Sequence, residues 1–169
     1  STLDSYINNQ SSDTLELVRD GTVSITFNLK NIGELKTANT QIVTDISNSQ
    51  LADAIQVIVQ IDGGSPIYTS ALSSFNMHDF LDQIHNQTNV ITYNFYISAA
   101  NYDLNPSSHV NFKITNKSWQ DGLPADTGFT DRESIYLTLK NSTPLPLMMP
   151  LETIEPTDIL EELTNPIIE

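Results

Sequence analysis

Thr22-Val-Ser-Ile-Thr-Phe-Asn-Leu-Lys30 alternates without a break. Val23, Ile25, Phe27 and Leu29 fall on one side of an extended chain, with Thr, Ser and Asn on the other. A helix would scatter these four apolar side chains around its circumference, whereas a strand lines them along one face. The pattern recurs. Residues 90–98 align Ile91, Tyr93, Phe95 and Ile97; residues 109–116 align Val110, Phe112 and Ile114; residues 134–140 align Ile135, Leu137 and Leu139. Weaker strands are read at 14–18, 40–46 and 54–61, the last more apolar and therefore central. Turn-forming residues separate these runs: Asp20-Gly21, Asp62-Gly63-Gly64, Asn105-Pro106 and Asp121-Gly122. About seven half-buried strands divided by turns predict an all-β, two-sheet, jelly-roll-like sandwich over residues 13–143.

Three segments depart from this rhythm. Residues 74–85 carry Phe75, Phe80, Leu81 and Ile84 at helical spacing, which predicts one short helix closing an end of the sandwich. Residues 1–12 form a polar N-terminal extension whose sizeable apolar groups are Leu3, Tyr6 and Ile7. Residues 144–169 hold five of the eight prolines, six acidic residues and no basic one, together with eleven Leu, Ile or Met residues. Prolines forbid a central strand there. So many apolar groups nevertheless call for a surface to lie on.

Composition narrows the function. Seven basic against 21 acidic residues give a net charge of -14, which repels phosphate backbones and anionic lipid. Nucleic acid and membrane surfaces are therefore not expected partners. With no cysteine there is neither a disulfide framework nor a thiolate metal site. No apolar run approaches the roughly 18 residues that a membrane-spanning helix needs. Ser, Thr, Asn and Gln fill 59 of 169 positions, a polar surface suited to an exported protein. A start at Ser1 fits a mature chain whose signal peptide has been removed, which predicts an extracellular or cell-surface location.

Val23-Ser-Ile-Thr-Phe-Asn-Leu-Lys-Asn-Ile-Gly-Glu-Leu35 resembles a strand-and-turn pattern of the camelysin/TasA group of exported fibre proteins. Leu51-Ala-Asp-Ala-Ile-Gln-Val-Ile-Val-Gln-Ile-Asp-Gly-Gly64 resembles the strand that follows. Ala71-Leu-Ser-Ser-Phe75 and Asp79-Phe-Leu-Asp82 look like the group's small helical insertion, and residues 90–98 and 110–120 like its closing strands. The likeness runs from about residue 12 to Gln120; the further strand and Pro-rich tail beyond are extra. It implies a jelly-roll subunit of pili or biofilm-matrix fibres, in which a terminal segment of one copy completes a sheet in the next. By that resemblance, the donor strand is the N-terminal segment around Leu3, Ser5 and Ile7. The expected partners are copies of the same chain. The apolar tail, through Leu145, Leu147, Met149, Leu151 and Ile154, is expected to contact a neighbouring subunit as well and is the rival for the donor role.

Enzyme chemistry finds no foothold. There is no HExxH, no G-x-S-x-G and no phosphate-binding glycine loop. Carboxylate pairs such as Asp79/Asp82 and Glu161/Glu162 read as solvated acids, and no cofactor is expected. On the predicted helix His78, Asp82 and His85 would share one face at metal-binding spacing; a solvated face opposite Phe80, Leu81 and Ile84 explains the same spacing, and no metal site is assigned. Asp62 with its glycines reads as a hairpin turn. Sequons at Asn9, Asn86, Asn116 and Asn141 offer acceptors for N-linked glycans, although this composition yields about three by chance. The alternative to a filament subunit is a monomeric adhesion or carbohydrate-binding sandwich. Such a module needs exposed aromatic side chains, for which Tyr68, Tyr102 and Trp119 are the candidates.

Overall fold

The computed structural model describes residues 3–7, 14–124 and 130–146. Ten strands fold into two five-stranded sheets. In chain order they are β1 (Leu3–Ile7), β2 (Thr14–Glu16), β3 (Gly21–Asn31), β4 (Thr37–Thr44), β5 (Ile55–Ile61), β6 (Pro66–Ala71), β7 (Asn76–Gln83), β8 (Thr88–Ile97), β9 (Ser108–Gln120) and β10 (Thr130–Asn141). One sheet runs β1-β3-β8-β5-β6, the other β2-β10-β9-β4-β7. Every ladder is antiparallel except the short β2–β10 pair. Only β5/β6 and β9/β10 are hairpin neighbours in sequence; other successive strands lie in different sheets. The chain is the all-β sandwich that its alternation predicts.

The alternating residues do what their pattern requires. Ile25, Phe27 and Leu29 of β3, Ile91 to Ile97 at every second position of β8, and Val57 and Val59 of β5 are buried. They meet Val110, Phe112 and Ile114 of β9 and Ile135, Leu137 and Leu139 of β10 from the opposite sheet. Asp20 and Asp62 take up positive φ (50° and 53°) just before glycines, as their turns demand. Two short helices, α1 (Ser49–Ala54) and α2 (Ala99–Asp103), cap one end. Asn48 and Ser98 start them by accepting from the backbone N–H of Leu51 and Asn101. Leu51 and Ala52 plug that end of the core.

The helix predicted over 74–85 is not there. A single 3-10 turn, Leu72–Ser74, crosses between the sheets, and β7 follows. Three residues of β7 face one of β4 in a bulge, because Asn39 pairs with Leu81 and Gln41 with Met77. Asp79 takes a positive φ of 44° in this bulge, and its N–H donates to Thr40 Oγ1. Phe80 and Leu81 both pack against the core, while the strand ends on the buried amide Gln83. Apolar residues on both sides of a bulge lose the period of two and imitate helical spacing.

The interior has two halves. Toward α1 and α2 it is mainly aliphatic and aromatic, with Asn105 and Asn141 buried beside α2; toward the opposite end side-chain amides form a network. Tyr93 donates its hydroxyl to Gln41 Oε1, and Gln41 Nε2 donates to Asn116 Oδ1 at 3.0 Å. Asn116 Nδ2 reaches Asn39 Oδ1 at 3.2 Å. Gln83 Nε2 donates to Leu29 O and Asn89 Oδ1, and Asn89 Nδ2 to Asp62 at the surface. Buried amides in this number persist because each finds a partner.

Candidate assembly edges

A sandwich offers neighbours its sheet edges, where main-chain N–H and C=O groups lack a ladder. Three of the four edges here are blunted. β6 begins with Pro66 and shifts register opposite Val59 and Gln60. β7 carries the bulge, with Asp79 and Asp82 exposed along it. β2 is a three-residue stub lying parallel on Thr138–Lys140 of β10, prolonged by Leu17 N–H donating to Lys140 O at 2.8 Å.

The fourth edge differs. β3 is eleven residues long and pairs with β8 without a register shift. On its other side lies the N-terminal segment: β1 runs antiparallel from Leu3 opposite Asn31 to Ile7 opposite Phe27. The donor segment read from Leu3, Ser5 and Ile7 is thus a strand, and in the single chain it occupies the chain's own β3 edge. Its described residues pair with residues 27–31.

The two terminal segments leave from opposite ends. β1 starts at the end where Asn31 and Gln120 lie, whereas β10 finishes at Asn141 beside α2. There Thr143 is tied down, its hydroxyl donating to Tyr102 Oη and its carbonyl accepting from Ser107 N–H. Pro144, Leu145 and Pro146 are all exposed, Leu145 by 67%. Leu147, Met149, Leu151 and Ile154 lie outside the described residues.

The sequons separate sharply. Asn86 is exposed in the β7–β8 turn at a positive φ of 64°. Asn9 lies outside the described residues. Asn116 and Asn141 were expected to be accessible and are not. Asn116 sits within β9, 4% exposed, inside the amide network. Asn141 is fully buried and donates to the carbonyls of Tyr102 and Asn105. A glycan on either would remove both an interior amide and its hydrogen bonds. The strand face cannot be read from an N-x-S/T triplet, which is why sequence reasoning misplaced them.

The histidines do not converge either. His78 Nδ1 lies 3.2 Å from Thr40 Oγ1 and its ring stacks on Trp119 at 6.0 Å. His85 Nδ1 contacts Gly33 O. The shared helical face with Asp82 vanishes with the helix. Among the described residues no three His, Cys, Asp or Glu side chains are placed to hold a metal. The aromatic candidates are likewise engaged. Trp119 is 4% exposed, Tyr68 Oη accepts from Asn76 N–H, and Tyr102 Oη holds Thr143. Tyr136, 63% exposed on β10, is the aromatic that the sequence reading passed over.

Charge on these edges is local. Lys36 Nζ stands 3.1 Å from Asp121 and 4.0 Å from Asp82. Partial burial, then Asp121 and Asp79, push the Asp82 carboxyl above its ordinary range against the pull of Lys36. Arg19 grips Asp103 through two bonds of 3.0 and 2.9 Å at the other end, which lowers the Asp103 carboxyl.

No protein-family model and no curated protein matches the chain. Among solved structures it is similar to a family 123 glycoside hydrolase from Clostridium perfringens, at 11% identity and a TM-score of 0.43. That match covers 87% of this chain and 28% of the hydrolase, so the chain spans under a third of its length. The seventh PapD-like (ASH) domain of human CEP192 is similar at 10% identity and a TM-score of 0.33, covering 84% and 87% of the two chains. Neither likeness bears on activity.

Proposed function

We propose that the chain is a structural subunit of an extracellular filament, polymerising head-to-tail by exchange of its N-terminal strand. The observation that carries this reading is β1: a strand at the sheet edge whose ladder, among the described residues, is with β3 alone. The bonds that it makes to residues 27–31 of its own chain can be made, in the same register, to β3 of a neighbour. Strand addition of this kind draws affinity from main-chain hydrogen bonds and specificity from side-chain pockets.

Placement of the ends supports it further. One terminal segment begins at one end of the sandwich and the other departs from the opposite end, so contacts through them are heterologous. Such contacts propagate into a fibre when they do not close on themselves. The blunted β2, β6 and β7 edges discourage pairing elsewhere, which leaves one route of growth.

The test is a double substitution, Leu3→Asp with Ile7→Asp. It puts two carboxylates into the exchanged segment, where burial without partners is costly. Fibres of the native chain should be visible by negative-stain electron microscopy and absent from the variant, whose sandwich stays folded. Undiminished polymerisation of the variant would remove the N-terminal strand from the donor role.

A further inference from the structure

The outer face of the β2-β10-β9-β4-β7 sheet gathers most of the chain's positive charge. Val110, Phe112 and Ile114 of β9 and Leu137 and Leu139 of β10 are buried in the core, so the residues alternating with them face outward. The β9–β10 register sets these outward residues in pairs. Arg132 stands opposite Lys117, Tyr136 opposite Lys113, and Lys140 opposite His109. Each pair is four residues from the next, about 13 Å along a strand, and the three rungs together span about 26 Å. Four of the seven Lys and Arg residues of the chain lie on them.

Polar and aromatic groups fill out this ladder. Tyr136, on the middle rung, is 63% exposed. Between the rungs Thr115 and Ser134 share a hydrogen bond of 3.0 Å, and Thr138 Oγ1 donates to Asn111 Oδ1 at 2.8 Å. Beside the last rung lies a cleft of about 260 Å³, lined by His109 and Lys140 together with Ser107, Ser108 and Ser142. These serine hydroxyls donate to Thr143 O, Asn105 O and the Glu16 carboxylate, which leaves their oxygens as acceptors toward the cleft.

Little negative charge offsets the rungs. Asp45 lies 3.5 Å from Lys113, and Glu16 accepts from Ser142 through both of its oxygens. Asp131 and Glu133 take the alternate positions of β10, turned away from this face. Among the described residues, Lys117 and Lys140 have no ion-pair partner.

We infer that this face binds an extended anionic polysaccharide of the uronic-acid type, laid along β9 and β10 with a sugar ring stacked on Tyr136. A uronate ring offers a C–H face to the tyrosine, hydroxyls to the Ser, Thr and Asn side chains, and a carboxylate to a lysine. An acidic peptide suits the face less well. Main-chain hydrogen bonds run in the plane of a sheet, so a peptide lying on its face joins no ladder. The net charge of -14 repels polyanions at long range. At about 0.15 M salt, however, charges beyond roughly 8 Å are screened, and the local rungs decide the contact. The inference goes beyond the filament reading and does not depend on it.

The test is binding of the full chain to immobilised alginate, a polyuronate, measured by surface plasmon resonance at physiological salt. Dextran serves as the neutral glycan and polyglutamate as the polyanion without sugar rings. Alginate should bind more tightly than either. Tyr136→Ala should weaken alginate binding about tenfold through loss of the stacking platform. Lys117→Gln with Lys140→Gln should weaken it about fivefold and leave less of it sensitive to salt. All of these positions are on the surface, and unchanged thermal melts confirm that the variants fold. Polyglutamate binding as tightly as alginate, or alginate binding that Tyr136→Ala leaves intact, reduces the face to a patch of charge and overturns the inference. So does dextran binding equal to that of alginate, or no binding of alginate at all. Fibres that form while alginate fails to bind leave the filament reading standing without this one. Alginate binding by a chain that forms no fibres supports the glycan face and sinks the filament.

Discussion

The two long sides of the sandwich are closed in different ways. On the β6–β7 side the chain itself crosses between the sheets through Leu72–Ser74, and side chains fill the joint. Phe75 is 3% exposed there, 5.1 Å edge-on to Tyr68 and 5.3 Å from Tyr93 between ring centroids. On the β1–β2 side the arm covers part of one sheet and then part of the other, through ladders of five and three residues. A side held by packed side chains is difficult to exchange between copies. The β2 arm on the other side is also anchored by side chains, Leu15 and Leu17 being buried in the core, but the main-chain bonds of the β1 ladder can be traded for identical bonds to a neighbour.

The largest effect should come from breaking the packed side. Phe75→Ala deletes a buried ring at a three-ring contact and should cost about 3–5 kcal/mol in denaturant unfolding. Removing residues 1–12 should cost less than that substitution, since main-chain hydrogen bonds at a sheet edge, such as those of the five-residue β1 ladder, add little net stability. If the truncation proves the more destabilising, the arm is an integral part of the sandwich and the contrast between the sides is reversed.

A smaller loss sharpens the contrast inside the molecule. Tyr93→Phe removes the hydroxyl that satisfies Gln41 Oε1 while leaving the ring among Phe27, Phe75 and Phe95. The expected cost is about 1–3 kcal/mol, because a buried acceptor loses its partner. A cost near zero would show that the amide network rearranges around the gap and does not hold one arrangement.

This network also marks where the sequence was legible and where it was not. Strands whose inward positions are all apolar, such as β3 and β8, announce themselves by alternation. β4 and the far half of β9 turn Asn39, Gln41 and Asn116 inward, so the same period carries no hydrophobic signal there. β7 combined a bulge with an inward Gln83 and passed for a helix. β6, with exposed positions interleaved along an edge, gave too weak a pattern to be read as a strand. The same polar inward positions made Asn116 and Asn141 look like surface sequons. Of the candidate assembly elements, the N-terminal strand was legible from its resemblance and from the spacing of Leu3, Ser5 and Ile7. Its register on residues 27–31 of β3 was not, since that depends on where a distant strand lies.

The smallest expected effect concerns the charges that guard the packed side. Asp82 lies on β7 with its side chain 48% exposed, near Lys36 and among Asp121 and Asp79. Partial burial and those neighbouring acids raise its carboxyl above the ordinary value, so the folded protein binds this proton more tightly than the unfolded chain does. The ionised form therefore detracts from stability near neutral pH. That cost fades as pH falls through the raised value toward the ordinary carboxylate range, and below it there is none. Asp82→Asn should accordingly stabilise the protein slightly near neutral pH, by less than about 0.5 kcal/mol given solvent screening, and leave stability unchanged in acid. Thermal melts of both proteins across that pH range measure the difference. A loss of stability near neutral pH would mean that attraction to Lys36 outweighs repulsion from Asp79 and Asp121. In that case β7 would be held by an ion pair, and its acids would no longer count as charges whose main effect is to keep another strand from joining the edge.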